Sequence, residues 1–385
     1  MSYRNAAAAC YLEAKPECGL IWKPYKQKLG ACLKYYLKRM EQAFNNPATN
    51  ILGAGVTESD LASAIRYSGY PLQTVIANSL RSNFTVQDEW GYIDRDTREL
   101  RTIDIFAQRT LYDIYGEQPR VRPILNLLIE CKQSDLPYIF LLSPTQPWLR
   151  EFPIVAGLAQ DEIQVTTNDS ASTWNFSPIQ LLGLESHRFL HDPIYCYTLS
   201  KCVRKGKDLE LSGSESYNNL ILPIIKALLH FQIAEGPPKT AVYFDAHLAL
   251  GISVLNAPMV GVRVMDNSNE LVLLPWVRVV RHEYFENLER WKRSKHLVVD
   301  IVHKDFFQRY LEDHVSPFAK EFATLAIKHQ QIFAPGAGFA SGMETNGWDN
   351  IEPRLRPRDM RANTTRAKII LQNILRLMTG RKPLG

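Results

Sequence analysis

The sequence has few cysteines, no long apolar run and little net charge. Its six cysteines stand at 10, 18, 32, 131, 196 and 202, and no two of them form a CxxC pair. This scatter favours free, buried thiols in a reducing compartment over a disulfide framework. No window approaches the roughly 18–20 apolar residues that a membrane-spanning helix needs. We therefore expect a cytoplasmic protein with no membrane partner.

Three common catalytic motifs are also missing. No GxSxG elbow, phosphate-binding P-loop or GxGxxG turn follows a predicted strand. The segment GAGFASG is rich in glycine, but it has no lysine and no following GK[ST]. We expect it to be a flexible loop within a Gly-rich linker.

The net charge of +5 is unevenly distributed along the 385 residues. Residues 1–45 carry eight Lys or Arg against three acids, and residues 351–385 carry nine against two. The two ends are therefore basic by about 12 charges, and the stretch between them is acidic by about 7. Basic ends would suit a polyanionic partner such as nucleic acid, but they could equally serve only to keep the ends soluble.

The pattern of apolar residues predicts an α/β protein with a mixed sheet. Helical spacing in 33–44 predicts a basic N-terminal helix, and further helices are expected after Thr57 and from Tyr70. FTVQDEWGYID, ELRTIDIFAQ, RPILNLLIECKQ and LPYIFLLSP read as strands, the first two joined by the turn DRDTREL. We divide the chain into a basic helical segment (1–55), a core (56–210), a second α/β region (211–335), and a Gly-rich linker with a basic tail helix (336–385).

Two charged residues lie at the end of the apolar strand LNLLIECKQ. Because side chains alternate along a strand, Glu130 and Lys132 share one face with Leu128, and Cys131 points to the other. In the strand IDIFA, Asp104 is expected on the face opposite to Ile103 and Ile105. Acids are seldom buried in a strand unless they are paired or bound to metal.

If these two strands are neighbours in the sheet, Asp104, Glu130 and Lys132 converge. Mg²⁺ prefers oxygen ligands, and two carboxylates with the backbone carbonyl of Cys131 would supply them. Such an ion, or Mn²⁺ in its place, activates water and offsets charge on a phosphate, and Lys132 could orient that water. The alternative is a surface Glu–Lys pair with an unrelated aspartate, which would contribute little to stability.

Asp104 followed by Glu130-Cys131-Lys132 resembles the D…(D/E)xK signature of the PD-(D/E)XK, or restriction-endonuclease-like, nuclease superfamily. The context DEWGYIDRDTRELRTIDIFA is similar to an uncharacterised bacterial branch of it, over roughly residues 60–145. The resemblance implies a restriction-endonuclease-like mixed sheet flanked by helices. It also implies a Mg²⁺- or Mn²⁺-dependent phosphodiesterase, with Asp104 and Glu130 as metal ligands. Many members of the superfamily act in microbial defence or mobile-element control.

One position departs from the superfamily pattern. Many members carry a further acid on the helix before the first strand, whereas YPLQTVIANSL offers Gln73 and no carboxylate. Glu89, or its neighbour Asp88, could replace that acid, or the site could work with fewer ligands. Arginines around the predicted site are candidate phosphate contacts. These are Arg95, Arg98, Arg101, Arg120 and Arg122.

Two other polar sets are weaker candidates for a site. His187 and His191, with Cys196 and Cys202, could hold zinc, although Pro193 and the cysteine spacing favour structural roles. A second set could be a faint echo of the first site, or a group of solvated strand ends. It consists of Asp245, His247, Asp300, His303 and Lys304.

The sequence therefore predicts a metal-dependent nuclease that acts on nucleic acid, with DNA favoured over RNA. The alternative is a catalytically inactive subunit that keeps the nuclease fold and binds nucleic acid or assembles with other proteins. A protein partner or a homo-oligomer is compatible with both. The missing helix acid is the main support for the alternative.

Overall fold

The computed structural model describes residues 43–358, except 148, 151, 168–171, 267, 285–293 and 342–349. The chain divides into two compact units, Met1–Ala64 and Ile65–Gly385. The predicted tail helix lies outside the described residues, as does nearly all of the predicted basic helix at 33–44.

Several of the described helices begin where the sequence offers capping groups or proline. Thr57 and Asp60 exchange hydrogen bonds, since the Asp60 amide donates to Thr57 Oγ1 (3.2 Å) and the Thr57 amide to Asp60 Oδ2 (3.0 Å). Within the described ranges, no helix combines the length and the apolar composition needed to cross a bilayer. The α-helices are α1 (Glu58–Tyr67), α2 (Tyr70–Leu80), α3 (Pro178–Leu181), α4 (Arg188–His191), α5 (Gly213–Ser216), α6 (Leu222–Ala234), α7 (Phe307–Tyr310), α8 (Ser316–Lys328) and α9 (Gln330–Phe333).

Several shorter helical turns adjoin these helices. Two π-helical turns, Tyr217–Ile221 and Leu311–Val315, connect α5 to α6 and α7 to α8. The helical segments 213–234 and 307–328 therefore each contain one wider turn. The described 3₁₀ turns are Leu184–Ser186, Lys304–Phe306 and Glu352–Arg354.

The predicted strands are present, with others between them. In chain order the described strands are β1 (Thr85–Ile93), β2 (Leu100–Thr110), β3 (Val121–Gln133), β4 (Tyr138–Leu142), β5 (Ile154–Ala156), β6 (Ile163–Thr167), β7 (Thr173–Phe176), β8 (Tyr195–Lys205), β9 (Asp208–Ser212), β10 (Phe244–Asn256), β11 (Met259–Met265), β12 (Ser268–Leu273), β13 (Trp276–Tyr284), β14 (Ser294–His303), β15 (Ala337–Ala340) and β16 (Leu355–Pro357).

Twelve of the described strands form one mixed sheet. Its order is β1-β2-β3-β10-β14-β13-β8-β4-β11-β12, with β5 paired to β10 and β9 paired to β8. The pairs β1–β2 and β2–β3 are antiparallel, whereas β10 is parallel to both β3 and β14. The predicted mixed α/β class is confirmed.

The longest strand pairing in this sheet is the parallel pair β3 and β10. Every residue of β3 has a register partner in β10, from Val121 opposite Phe244 to Gln133 opposite Asn256. Apolar side chains of both strands enter the two large core clusters, as expected for parallel strands covered on both faces. One sheet therefore contains strands on both sides of the boundary that the sequence placed at 210/211.

The Gly-rich stretch around residue 338 is not simply a flexible loop. Residues Ala337–Ala340 form strand β15, which is buried in a second sheet of order β16-β15-β6-β7. A side chain at Gly338 would place its Cβ 2.9 Å from Ile332 Cγ2 and 3.2 Å from the Arg356 carbonyl oxygen. Glycine is thus required there for close packing, so the expectation of a loop was wrong for this part of the stretch.

Helix α6 lies close against strand β10 because of a second glycine. An added Cβ at Gly251 of β10 would lie 2.3 Å from Ile224 Cγ2 and 2.8 Å from Leu228 Cδ1. Ile224 is fully buried in the core cluster on this face of the sheet, which also contains Leu128 and Val299. The close approach of α6 therefore depends on the absence of a side chain at residue 251.

Gly251→Ala is expected to lower the free energy of unfolding by about 1–3 kcal/mol, because it overpacks this contact. Urea denaturation measures the change. In an Ile224→Ala background the same substitution should cost less, since the closest clashing atom is gone. A double-mutant cycle with no coupling between the two positions would contradict this account of the packing.

Candidate active site

Asp104 is fixed where strands β2 and β3 separate. The two strands pair from Thr110 opposite Ile124 to Ile105 opposite Ile129. Beyond that point the Cys131 amide donates to the side chain of Asp104, at 2.7 Å from Oδ2. A carboxylate thus takes the place of a backbone acceptor. The structure brings Asp104 to the segment that carries Glu130 and Lys132.

Glu130 and Lys132 lie side by side on one face of β3, as the alternation predicts. Lys132 Nζ donates to Glu130 Oε1. The Glu130 residue is only 6% exposed, and its second oxygen, Oε2, is buried without a hydrogen-bond partner among the described residues. Lys132 keeps about a third of its side chain in solvent (33%). One carboxylate oxygen is therefore left for a ligand, and the ammonium group is left accessible.

The regular alternation of side chains between the two faces of the sheet is interrupted in β2 at Asp104. Ile103 belongs to the core cluster on the α6 side of the sheet, whereas Ile105 belongs to the cluster on the α2 side. The expectation that both isoleucines face away from Asp104 was therefore wrong. The change coincides with Glu89, which lies between the β1 partners of Ile105 and Ile103 and has φ of 51°. A left-handed residue interrupts the alternation of a strand.

Gln73 connects the accessory residues to the site. Its amide Nε2 donates to Glu89 Oε1 (2.9 Å) and to the backbone oxygen of Asp104 (3.0 Å). Asp88 instead forms an ion pair with Arg81. Glu89 is therefore the acid of β1 that approaches the site, and Gln73 holds it there without providing a carboxylate of its own.

Burial governs the charges at the site. It raises the pKa of Glu130 to about 7, with the nearby Asp104 carboxylate adding to the shift and Lys132 and the Asp104 backbone amide opposing it. Burial also raises the pKa of Asp104, although the Cys131 amide and Lys132 act in the opposite direction. For Lys132 burial lowers the pKa, but the charge of Glu130, the hydrogen bond to it and the charge of Asp104 together outweigh burial, and the net shift is upward. The positive charge of Lys132 is thus shared by the carboxylates of Asp104 and Glu130 and does not neutralise both of them.

The oxygen atoms of this site are of the kind that a small divalent cation binds. Within the described ranges, no three His, Cys, Asp or Glu side chains could hold a metal ion by themselves. A cation here would therefore bind the carboxylates of Asp104 and Glu130, the Cys131 carbonyl and water, a set that suits Mg²⁺ or Mn²⁺. The unpartnered Glu130 Oε2 is the observation that favours such a ligand. The Cys131 side chain takes no part, because it points into the core and burial raises the pKa of its thiol.

The predicted arginine contacts separate into two groups. Arg95, Arg98 and Arg101 lie in or next to the β1–β2 turn, at the end of the sheet where β3 terminates. Arg101 is paired with Asp94 and Glu99, whereas Arg95 and Arg98 are exposed.

Arg120 and Arg122 do not border the site. They lie at the opposite end of β3, and Arg122 is eight residues from Glu130, or about 26 Å along a strand. Arg122 is paired with Asp245, and Arg120 Nε donates to the Val242 carbonyl. The sequence reading missed this separation because it treated the connection before β3 as a loop beside the site.

The zinc alternative has no support in the described residues. His187 Nδ1 accepts from the Phe189 amide (2.9 Å) and caps helix α4, and its Nε2 is 3.5 Å from Glu321 Oε2. Cys196 and Cys202 are buried in β8. These residues therefore serve packing and capping.

Asp300, a member of the second candidate set, has both carboxylate oxygens hydrogen-bonded to its neighbours. Both oxygens of Asp300 accept from the Arg278 guanidinium, at 2.7 and 2.8 Å, and Oδ2 also accepts from the Tyr310 hydroxyl at 2.6 Å. The three side chains are almost fully buried. Asp300 therefore completes an internal ion pair and offers no free oxygen to a ligand.

The sequence reading also missed Ser253 of β10, which lies in register with Glu130 on the neighbouring strand. A lone hydroxyl in the apolar run of LALGISVLN was the available signal.

Family models, curated proteins and solved structures gave no match to this chain. The chemistry of the site therefore follows from its own residues.

Glu130→Gln should change how stability depends on pH. The folded-state pKa of Glu130, about 7, lies above its ordinary value of 4.5, so ionisation destabilises the folded protein. Wild type should therefore lose stability relative to Glu130→Gln as pH rises from about 4.5 to about 7, by up to ~3 kcal/mol. Urea titrations in chelator-treated buffer measure this, and a difference independent of pH would contradict it.

Two substitutions at Glu89 separate backbone strain from the loss of its carboxylate. Both Glu89→Gly and Glu89→Ala remove the hydrogen bond to Gln73, but only glycine relieves the left-handed conformation. Glu89→Gly should be more stable than Glu89→Ala by about 1 kcal/mol in urea denaturation. Equal stability of the two variants would show that φ at this position is not strained.

Proposed function

We propose that this protein is a metal-dependent nuclease that hydrolyses phosphodiester bonds of nucleic acid. The observation that carries the proposal is the meeting of Asp104 with Glu130 and Lys132, which leaves one buried oxygen of Glu130 unpartnered. The resemblance to restriction-endonuclease-like proteins supports DNA as the substrate and a cytoplasmic role in defence or mobile-element control.

Each residue has a distinct part in the proposed reaction. The carboxylates of Asp104 and Glu130, with the Cys131 carbonyl, would hold Mg²⁺ or Mn²⁺. Such an ion lowers the pKa of a bound water and offsets charge on the scissile phosphate. Lys132 donates to Glu130 and remains partly exposed, so its other protons can orient the attacking water or stabilise the phosphate. Water adds its oxygen to phosphorus, and the leaving sugar oxygen departs with a proton.

The substrate backbone would approach from the β1–β2 turn. Arg95 and Arg98 are exposed there, at the end of the sheet where β3 terminates. Lys226 of α6 contacts Asp96 of the same turn, and its Nζ is 3.8 Å from Asp94 Oδ1. These pairs hold the turn against α6, so the two arginines project from an anchored loop. Contacts of this kind position a nucleic acid without reading its sequence.

A catalytically inactive subunit that binds nucleic acid or assembles with other proteins is the second candidate. The observation that favours it is Gln73, whose amide occupies the position where many nucleases of this type carry a carboxylate. It bonds the Asp104 carbonyl and Glu89 rather than adding a metal ligand. Such a subunit would bind nucleic acid without cleaving it.

Cleavage assays on a plasmid, single-stranded DNA and RNA, each with Mg²⁺ or Mn²⁺, test the proposal. Lys132→Met and Glu130→Gln should each reduce the rate by at least 100-fold, because both remove a group required at the reacting phosphate. Lys304→Met is a matched control, since Lys304 also lies at the end of a strand, pairs with an acid next to it in sequence, Asp305, and is 34% exposed. It should retain the wild-type rate.

The outcomes separate the two candidates. Wild-type cleavage that persists in both site variants would refute the assignment of the site. Binding of nucleic acid without cleavage, unchanged by either metal, would instead support the inactive subunit. If the wild-type chain cleaves only after a partner protein is added, the assignment of the site stands and the partner controls its activity.

A further inference from the structure

Ser253 lies in an interior strand of the sheet, where most side chains are apolar. Strand β10 runs between β3 and β14, and Ser253 is in register with Glu130 on one side and Ile301 on the other. The residue is 0% exposed. Its neighbours Ile252 and Val254 are β-branched residues of the kind that a central parallel strand favours.

Two buried polar atoms on these adjacent strands lack partners. Among the described residues, neither Ser253 Oγ nor Glu130 Oε2 makes a hydrogen bond. Register partners on neighbouring strands direct their side chains to the same face of the sheet, with the backbones about 4.8 Å apart. Both residues therefore face the side covered by α6. An unpaired buried polar atom destabilises a fold, so two of them on the same face of adjacent strands point to a shared ligand.

The fold does not itself require this hydroxyl. Ser216 provides the comparison, because it is 1% exposed and its Oγ donates to the Ser212 carbonyl at 3.0 Å. The Ser216 hydroxyl thus has a hydrogen-bond acceptor at the start of its own helix. Ser253 is a strand residue whose backbone groups are used in pairing on both sides, and its hydroxyl has no such acceptor.

We propose that Ser253 is a positioning residue of the site. Its hydroxyl bonds a water molecule bound to the divalent cation that Glu130 Oε2 ligates. A hydroxyl both donates and accepts, so it can hold a coordinated water in a fixed orientation without adding charge. The inference rests on the proposed nuclease function, and it adds a residue from a strand more than one hundred positions away from Glu130 in the chain.

The test measures Mn²⁺ binding by titration calorimetry and thermal unfolding in the metal-free state. Ser253→Ala should weaken Mn²⁺ binding about 10-fold, the lower end of what loss of an outer-shell partner costs. The same variant should unfold at an equal or higher temperature without metal, because an unpaired buried hydroxyl has been removed. Ser253→Cys, which nearly preserves the volume, should weaken binding similarly and covers the case in which the alanine variant fails to fold.

Ser216→Ala is the matched control. It removes a buried hydroxyl that has a partner, so it should lower the unfolding temperature and leave Mn²⁺ affinity unchanged. Loss of stability without loss of affinity in Ser253→Ala would assign Ser253 a structural role and overturn the proposal.

A third variant distinguishes failure of this inference from failure of the proposed function. Glu130→Gln should abolish Mn²⁺ binding. If it does, and if Ser253→Ala and Ser253→Cys bind Mn²⁺ as wild type does, the inference about Ser253 is refuted while the metal site stands. If the wild-type chain binds no Mn²⁺, the metal site and the inference are both refuted.

Discussion

The pairing of β3 with β10 is the constraint on which the rest of this structure depends. It runs the full length of both strands and joins segments that the sequence suggested were separate regions. The same pairing surrounds Glu130 with protein and brings Ser253 beside it. Helix α6 can cover this face because Gly251 has no side chain. The position and the burial of the candidate site therefore follow from one pair of strands.

Burial at this position has an energetic cost that the fold does not remove. Lys132 neutralises one oxygen of Glu130, and the Cys131 amide binds Asp104, but the second oxygen of Glu130 has no partner in the described structure. A purely structural ion pair would satisfy its atoms, as Arg278 and Asp300 do in the same sheet. This contrast between the two buried pairs, of which only the second has all its oxygens hydrogen-bonded, supports the proposal of a ligand at the first.

Local patterns in the sequence predicted the hairpin β1–β2, strand β3 and the shared face of Glu130 and Lys132, because alternation is a property of the strand itself. They did not predict the change of face at Asp104, which depends on the left-handed backbone of Glu89. Nor did they predict that Ala337–Ala340 forms a buried strand, since the need for small residues there comes from Ile332 and Arg356. Partners distant in sequence decide such features, and no local pattern contains them.

The separation of β3 and β10 along the chain has a consequence for biosynthesis. Asp104, Glu130 and Lys132 all precede residue 134, yet the strand that flanks them on the other side ends at Asn256. A ribosome must therefore make more than a hundred further residues before β3 gains this neighbour. Long-range pairing of this kind is slow to form. During translation β3 therefore lacks its parallel neighbour until β10 has been made, so the geometry of the candidate site is completed only late in synthesis.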